Sequence, residues 1–329
     1  MARACDVYGI GNALVDIQYR VTPEFLARAG IEKGVMTLIG EDRHHELLEH
    51  LGNDVLKRSS GGSAANSMIA VANLGGRATY ACKVAKDEYG DFYLQDLAAA
   101  GVASNGFQGE GITGKCLVMI TDDADRTMNT YLGITGTFGP EQLEPDVIRE
   151  SDYLYIEGYL VASDDGFDAA VAAQAVAHAG RTRVSLSLSD PSIVAAFGDR
   201  MRALVAGGVD LLFCNEAEAR AFTETGNEND ACSALETLVG AYAVTYEARG
   251  AVVWHGGKRF HSPGFSVDAV DTNGAGDMFA GAYLFGMTHG LDAAQSAKLA
   301  NYASMRVVAQ YGPRLDESLD GEIEQILSM

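Results

Sequence analysis

Residues 271–283 read DTNGAGDMFAGAY, and they set three small residues, Gly274, Ala275 and Gly276, between an extended segment and an apolar helical run. Unpaired N–H groups at such a helix start, together with the helix dipole, favour an anion. The turn contains no lysine, so it is not the phosphate loop G-x-x-x-x-G-K-[ST], and Phe279 breaks the pattern G-x-G-x-x-G. Its charged residue past the turn is an acid, Asp277. Two readings fit these residues. In one, Asp277 is a first-turn partner of the dipole in a plain glycine turn. In the other, the amides receive a transferring phosphoryl group while Asp277 takes a proton from the attacking alcohol.

Three further stretches carry chemically useful spacing. In CNEAEA (214–219), Asn215 and Glu218 either form a capping box or organise waters around Mg²⁺. In GGSAAN (61–66), Gly61 and Gly62 permit close backbone approach, Ser63 is placed to cap the following helix, and Asn66 falls in its first turn. In NALVD (12–16), Asn12 and Asp16 offer an amide and a carboxylate suited to vicinal hydroxyls. Other sets count against alternatives. Gly9 and Gly11 hint at a dinucleotide fingerprint, but Leu14 stands at its third glycine and no helix pattern follows. HELLEH (45–50) is out of step with the zinc motifs H-E-x-x-H and H-x-x-E-H and reads as a solvated helix. No Ser–His–Asp or Cys–His arrangement stands out.

The 329 residues carry a formal net charge of -21, which opposes nucleic acid or an anionic membrane as partner. The same charge requires that any phosphate chemistry rest on local donors. The five cysteines are scattered without a C-x-x-C pair, as expected of reduced thiols in a cytoplasmic protein. No apolar run approaches the roughly 20 residues of a membrane span. The N-terminus runs into a strand-like pattern in which Asp6 and Asp16 oppose a signal peptide, so the expected location is cytoplasmic.

The elements that must position these residues follow from periodicity. Strand patterns occur at 6–11, 35–40 and 79–85, helix patterns at 63–75 and 88–101, and a hairpin at 115–132 turning at DDAD (122–125). From residue 153 strands and helices alternate, and the strands are apolar on both faces. That grammar predicts an α/β fold, a doubly wound and mostly parallel sheet with helices on both faces. The interleaved stretches 14–61 and 109–136 break the rhythm and are expected to form a small β-rich lid. The large domain is then 1–13, 62–108 and 137–329.

Taken together, the motifs resemble a known family. DTNGAGDMFAG resembles the C-terminal hallmark of the ribokinase-like sugar and nucleoside kinases, the phosphofructokinase-B family. GGSAANSMIAVANLGG resembles their N-terminal hallmark, and NEAE their Asn-x-x-Glu magnesium motif. GNALVDI, EDRHHELLEHL, TGKC (113–116) and YIEGYL (155–160) are most similar to the adenosine kinase branch. The resemblance implies ATP as donor, Mg²⁺, and transfer of the γ-phosphoryl to a primary hydroxyl, the 5′-hydroxyl of adenosine as first choice. It implies Asp277 as base, Gly274, Ala275 and Gly276 as anion hole, and Arg126 as the arginine that steadies the phosphoryl group. Asn12, Leu14, Asp16, Gly61, Gly62, Ser63, Asn66, Cys116, Met128 and Tyr159 fall at acceptor-binding positions. Asn215, Thr245, Gly250, Thr272, Gly274, Gly276 and Asn301 fall at nucleotide-binding ones, with Asn215 and Glu218 toward Mg²⁺ through water. Asp271 with Asn273 marks where a monovalent cation such as K⁺ could bind, and the chain is expected as a monomer or homodimer.

Three departures keep other acceptors open. Ser192 replaces an aromatic wall of the adenosine branch, Glu247 replaces a glycine of the nucleotide loop, and Ala64 and Ala65 replace a Thr-Gln pair. A sugar kinase of ribose or fructose type and an inosine or guanosine kinase are therefore the alternatives. A non-catalytic nucleoside-binding protein is the outside one.

Overall fold

The computed structural model describes residues 5–123 and 125–329. Apolar side chains along its central strands divide between two cores. Tyr153 and Tyr155, and Leu211 and Phe213, enter one core, while Leu154 and Ile156, and Leu212 and Cys214, enter the other. A strand apolar on both faces needs cover on both, and helices supply it. Ser63–Asn73, Ala275–Thr288 and Ala293–Val308 pack on one side, Asp164–Gly180, Pro191–Ala206 and Glu216–Thr223 on the other.

Nine strands form this sheet, in the order Lys258–Ser262, Ala251–His255, Tyr242–Thr245, Leu211–Asn215, Arg183–Ser187, Ser151–Ile156, Cys5–Ile10, Ala78–Ala81 and Ala103–Ser104. All neighbours run parallel except the last two pairs at the Lys258–Ser262 edge. The fold is thus the doubly wound, mostly parallel α/β sheet that the alternation predicts. Connections travel one way from Cys5–Ile10 and the other way from Ser151–Ile156, so the order reverses between these two strands. The crevice beyond their carboxyl ends is where an open α/β sheet receives ligands.

A second, five-stranded sheet runs Met36–Leu38, Arg126–Tyr131, Gly114–Ile120, Leu14–Arg20, Val55–Gly61. Val15, Ile17, Tyr19, Leu117 and Met119 point from one face of it into the core shared with Ser63–Asn73. By the period of two, Leu14 and Asp16 point the other way. Registers Asp16↔Cys116, Thr130↔Cys116 and Met128↔Val118 put Cys116, Met128 and Arg126 on the same face as Asp16. The hairpin joining the strands Gly114–Ile120 and Arg126–Tyr131 is antiparallel as read from the sequence, and Ala124 of its DDAD turn lies outside the described residues.

The stretch 79–85 differs from the single strand expected. It divides at Cys82, because Ala78–Ala81 pairs within the large sheet whereas Lys83–Ala85 leaves it to pair with Phe107–Gly109. Among the described residues no helix is long and apolar enough to cross a membrane.

Candidate active site

The helix Ala275–Thr288 begins at the turn singled out in the sequence, with Gly274 in the left-handed region at φ 76. A side chain there would be doubly excluded, since a Cβ would come within 2.4 Å of Pro313 Cβ. The Ala275 N–H is turned back onto Thr272 O at 3.3 Å, so that residue contributes less to an anion hole than the sequence suggests. The N–H groups of Gly276 and Asp277, in the first turn, have no partner from a preceding turn of α-helix. Around Gly276 the space is open, for a Cβ would meet nothing within 4 Å.

Asp277 is held from the neighbouring helix. Ser63 Oγ donates to its Oδ1 at 2.6 Å and Asn66 Nδ2 to its Oδ2 at 3.0 Å. Burial raises the Asp277 carboxyl above the ordinary range, and these two bonds work against that rise. The two helices approach closely because one turn further on Gly281 lies against Ser67, where a Cβ would stand 2.3 Å from Ser67 O. Ser63 therefore does not cap its own helix, contrary to the expectation. The N-cap is Gly62 with no side-chain bond, and Ala64 N–H donates instead to Glu157 Oε2 at 2.9 Å. Glu157 Oε1 accepts from the Asn12 backbone N–H at 3.3 Å and Nδ2 at 3.1 Å, at the point where the strand order reverses. Burial pushes Glu157 up to about 7, with Asp277 adding to the effect.

Asp16 lies against the backbone of Gly61. An ideal Cβ on Gly61 would fall 2.3 Å from Asp16 Oδ1 and 2.5 Å from Oδ2. Gly62, at φ 97, similarly admits Asn12 O. Burial pushes Asp16 up to about 7; Arg314 and Arg126 oppose the rise and Asp277 adds to it. Asn12, Asp16, Gly61, Gly62, Ser63, Asn66 and Asp277 thus form one group, beside the sheet face that carries Leu14, Cys116 and Met128. Tyr159 is partly buried, and its hydroxyl is pushed up first by burial and then by Asp190, Glu157, Asp277 and Glu218.

Arg126, the first residue of its strand, forms an ion pair through Nη2 with Asp271, while its buried Nη1 has no hydrogen-bond partner among the described residues. Asp271 also accepts from the N–H groups of Asn273 at 3.0 Å and Gly312 at 2.7 Å. Of the two candidate monovalent-cation residues, Asp271 is therefore already engaged by a guanidinium and two backbone donors, one of them from Asn273.

Asn215 and Glu218 form the capping box. Glu218 N–H donates to Asn215 Oδ1 at 2.8 Å, and Glu218 accepts from Asn215 N–H at 3.0 Å and Nδ2 at 2.7 Å. Burial pushes Glu218 up to about 7, with Asp190 and Asp277 adding. A carboxylate offers about four lone-pair positions. The box uses two, so the rest can accept from the waters of a hydrated divalent ion, and the donor set fits such a role through water. Among the described residues no group of three or more His, Cys, Asp or Glu could enclose a metal.

The other nucleotide-site candidates fall further along the same sheet edge. Thr245 pairs in register with Asn215, Gly250 packs against Ser262 O and Gly264 N, and Asn301 Nδ2 donates to Ser262 O at 3.0 Å and Pro263 O at 3.2 Å. Thr272 is exposed. Ser192 is exposed and donates its hydroxyl to Asp190 at 2.5 Å, so it provides no apolar wall. Glu247 is also exposed, at φ 50, a conformation that glycine adopts without strain.

Arg314 escaped the sequence reading altogether. Its Nε donates to Asn66 Oδ1 at 3.3 Å, Nη1 to Asp96 Oδ2 at 2.9 Å and Nη2 to Ser60 Oγ at 2.8 Å. No local pattern announces it, because all three partners lie more than two hundred residues away in the chain.

A family model described as pfkB family carbohydrate kinase matches residues 35–319. The crystal structure of adenosine kinase from Sinorhizobium meliloti is 38% identical, with a TM-score of 0.91, covering 98% of this chain and 99% of that one. Adenosine kinase from Saccharomyces cerevisiae is 28% identical over 326 residues, 92% of this chain and 95% of its own. An ATP-dependent ribose-1-phosphate kinase from Halopiger xanaduensis is 30% identical over 266 residues, 80% of this chain and 85% of its own.

Proposed function

Since the chain belongs to the pfkB family of carbohydrate kinases, we propose that it transfers the γ-phosphoryl group of ATP to the 5′-hydroxyl of a nucleoside, with adenosine as the acceptor. The observation that carries this reading is the Asp277 carboxylate. It stands at an open helix N-terminus, held by Ser63 at 2.6 Å and Asn66 at 3.0 Å, beside the Asp16 cradle. Transfer to an alcohol needs a proton acceptor and an anion site within reach of one atom, and one turn of helix supplies both. Likeness to two adenosine kinases supports the choice of acceptor.

In this reading the ribose hydroxyls bind Asp16 and the backbone at Gly61–Gly62, and the base of the nucleoside lies along Leu14, Cys116, Met128 and Tyr159. Asp277 takes the proton of the 5′-hydroxyl as the γ-phosphoryl group enters beneath the Gly276 and Asp277 N–H groups. Arg126 steadies it through Nη1, a donor with no partner among the described residues. These contacts act locally, where water is excluded, which reconciles the chemistry with a net charge of -21. Mg²⁺ would be held through water by Glu218 and Asn215, where it supplies charge neutralisation of the phosphates. The segments 14–61 and 109–136 act as the lid that closes over the acceptor.

A second reading, a sugar or another nucleoside as acceptor, is favoured by the exposed Ser192, which leaves the base one aromatic wall short, a contact worth about 0.5–1.5 kcal/mol. Release of ADP with adenosine, inosine, guanosine, ribose, fructose and ribose 1-phosphate separates the readings, and a lowest KM for any acceptor other than adenosine overturns the first. Asp277→Asn should lower kcat by about 10²–10⁴-fold on the best acceptor, and near-normal turnover removes Asp277 as base.

A further inference from the structure

The guanidinium of Arg314 carries only donors. The atom of Asn66 that faces its Nε at 3.3 Å must therefore be the amide oxygen, and this turns Nδ2 toward Asp277 Oδ2 at 3.0 Å. Arg314 is itself fixed. Asp96 Oδ2 accepts from Arg314 Nη1 at 2.9 Å, from Ser60 N–H at 2.9 Å and from Ser60 Oγ at 2.6 Å, and Ser60 Oγ receives Arg314 Nη2 at 2.8 Å. Burial alone would raise the Asp96 carboxyl, yet the bonds from Ser60 and Arg314 hold it below the ordinary range. The clamp joins the end of the strand Val55–Gly61, the helix Glu88–Ala99, the helix Ser63–Asn73 and the C-terminal segment.

An asparagine beside a carboxylate can serve either protonation state. With Nδ2 forward it donates to the ionised acid; flipped, its oxygen accepts from the neutral one. Arg314 removes the second option, because a flipped Asn66 would set its NH₂ against a guanidinium N–H. We propose that Arg314 is a positioning residue for the reacting carboxylate, locking the Asn66 amide so that it donates to Asp277 and keeps Asp277 in its proton-accepting form. The inference rests on Asp277 as the base. Other titratable groups that act with Asp277 are Asp16, Tyr155, Glu157, Tyr159 and Glu218, and Arg314 and Arg126 both act on Asp16. Because Asp16 titrates in the free enzyme, the informative quantity is kcat, which reports groups in the ternary complex.

The test follows kcat at saturating adenosine and Mg-ATP between about pH 5 and pH 9 in wild type, Arg314→Met, Asn66→Ala and the double variant. Loss of a charge-assisted bond should move the acid limb up by about one pH unit, giving about a tenfold fall below the limb and little change above it. Asn66→Ala, whatever it costs on the plateau as a residue of the acceptor site, should show the same displacement of the limb, and the double variant should be no worse than the poorer single. Asp96→Asn, which loosens the clamp without emptying it, should move the limb the same way by less, and it carries the test if Arg314→Met does not fold. An acid limb unmoved in Arg314→Met and Asp96→Asn, or effects of Arg314→Met and Asn66→Ala that multiply, overturns the inference. Asp277→Asn is the reference: if it is nearly inactive while the limb stays in place, only the role of Arg314 falls. If it keeps turnover, the base assignment falls and this inference with it.

Discussion

Gly61→Ala should disable acceptor binding while leaving the fold in place, and the geometry says why the two effects separate. Gly61 ends the strand Val55–Gly61, paired with Leu14, and it is not among the residues with positive φ. Its backbone therefore accepts an L-residue, and replacing glycine in a strand recovers about 0.5–1 kcal/mol of chain entropy. The obstacle is the Asp16 carboxylate, with Oδ1, Cγ and Oδ2 at 2.3, 2.4 and 2.5 Å from the new Cβ. None of these distances is tolerable, so the short Asp16 side chain must rotate out of the cradle. Rotation costs little in stability, but it removes the carboxylate from the position where the proposed function has it bind the ribose hydroxyls. Hydrogen bonds to a charged group contribute about 1.5–3 kcal/mol. Loss of one corresponds to about a 10- to 150-fold fall in kcat/KM for the acceptor. The assay is coupled ADP release with varied adenosine and, separately, varied ATP, together with a thermal unfolding scan. KM for ATP should hold, and the unfolding midpoint should stay within about 4 °C. Adding Gly61→Ala to Asp16→Ala should then cost nothing further, since the group it displaces is already gone. Retention of acceptor kcat/KM within about threefold of wild type would falsify the reasoning, because a carboxylate that can be evicted without consequence is not a binding group.

Two further predictions concern buried titratable groups. His44 is buried at 0% exposure, neither ring nitrogen has a partner among the described residues, and its ring stacks on Tyr131 at 5.0 Å. Burial, aided by Lys115 and His45, lowers it from 6.5 to about 4. The unfolded chain therefore binds this proton first as pH falls, and stability drops through the window from about 6.5 to about 4, by about 3 kcal/mol in all. Urea unfolding of wild type and His44→Phe across that window should show the variant gaining about 3 kcal/mol relative to wild type as pH falls; a difference that stays constant refutes the idea. For Glu218, the Gln variant can keep much of the capping box but loses the charge. Glu218→Gln should raise the Mg²⁺ concentration needed for half-maximal rate by about tenfold or more with a helix still capped, whereas Glu218→Ala should also lower stability by about 1 kcal/mol. An unchanged Mg²⁺ requirement in Glu218→Gln leaves the pair a cap alone.

How far the site could be read beforehand depended on how far apart its atoms lie in the chain. The turn 271–277 and the pair Asn215–Glu218 were legible because their geometry is set within a few consecutive residues. For the second pair, the sequence could not choose between a cap and a cation site, and the folded box leaves lone pairs for both. Ser63 shows the opposite case. Its position before a helical run predicts a cap, but a hydroxyl can also donate, and folding brings it a carboxyl acceptor from 214 residues away. The side chain turns to Asp277, leaving Ala64 N–H to Glu157.

The doubly wound sheet was determined by the sequence itself, since alternating strands apolar on both faces need helices on both sides. So was the placing of an acid, Asp277, just past a lysine-free glycine turn at a helix start. Which groups surround that acid was decided only in three dimensions. Arg314, Asp96, Glu157 and the Arg126–Asp271 pair reach the crevice from separate segments, and nothing in the local pattern of any of them marks the partner. The physical reason is the range of the forces involved. Hydrophobic periodicity and helix-end geometry act between neighbours in the chain and leave a trace in local order. Hydrogen bonds and burial act between neighbours in space, and they raise the carboxyls of Asp16, Glu157, Glu218 and Asp277 while lowering that of Asp96.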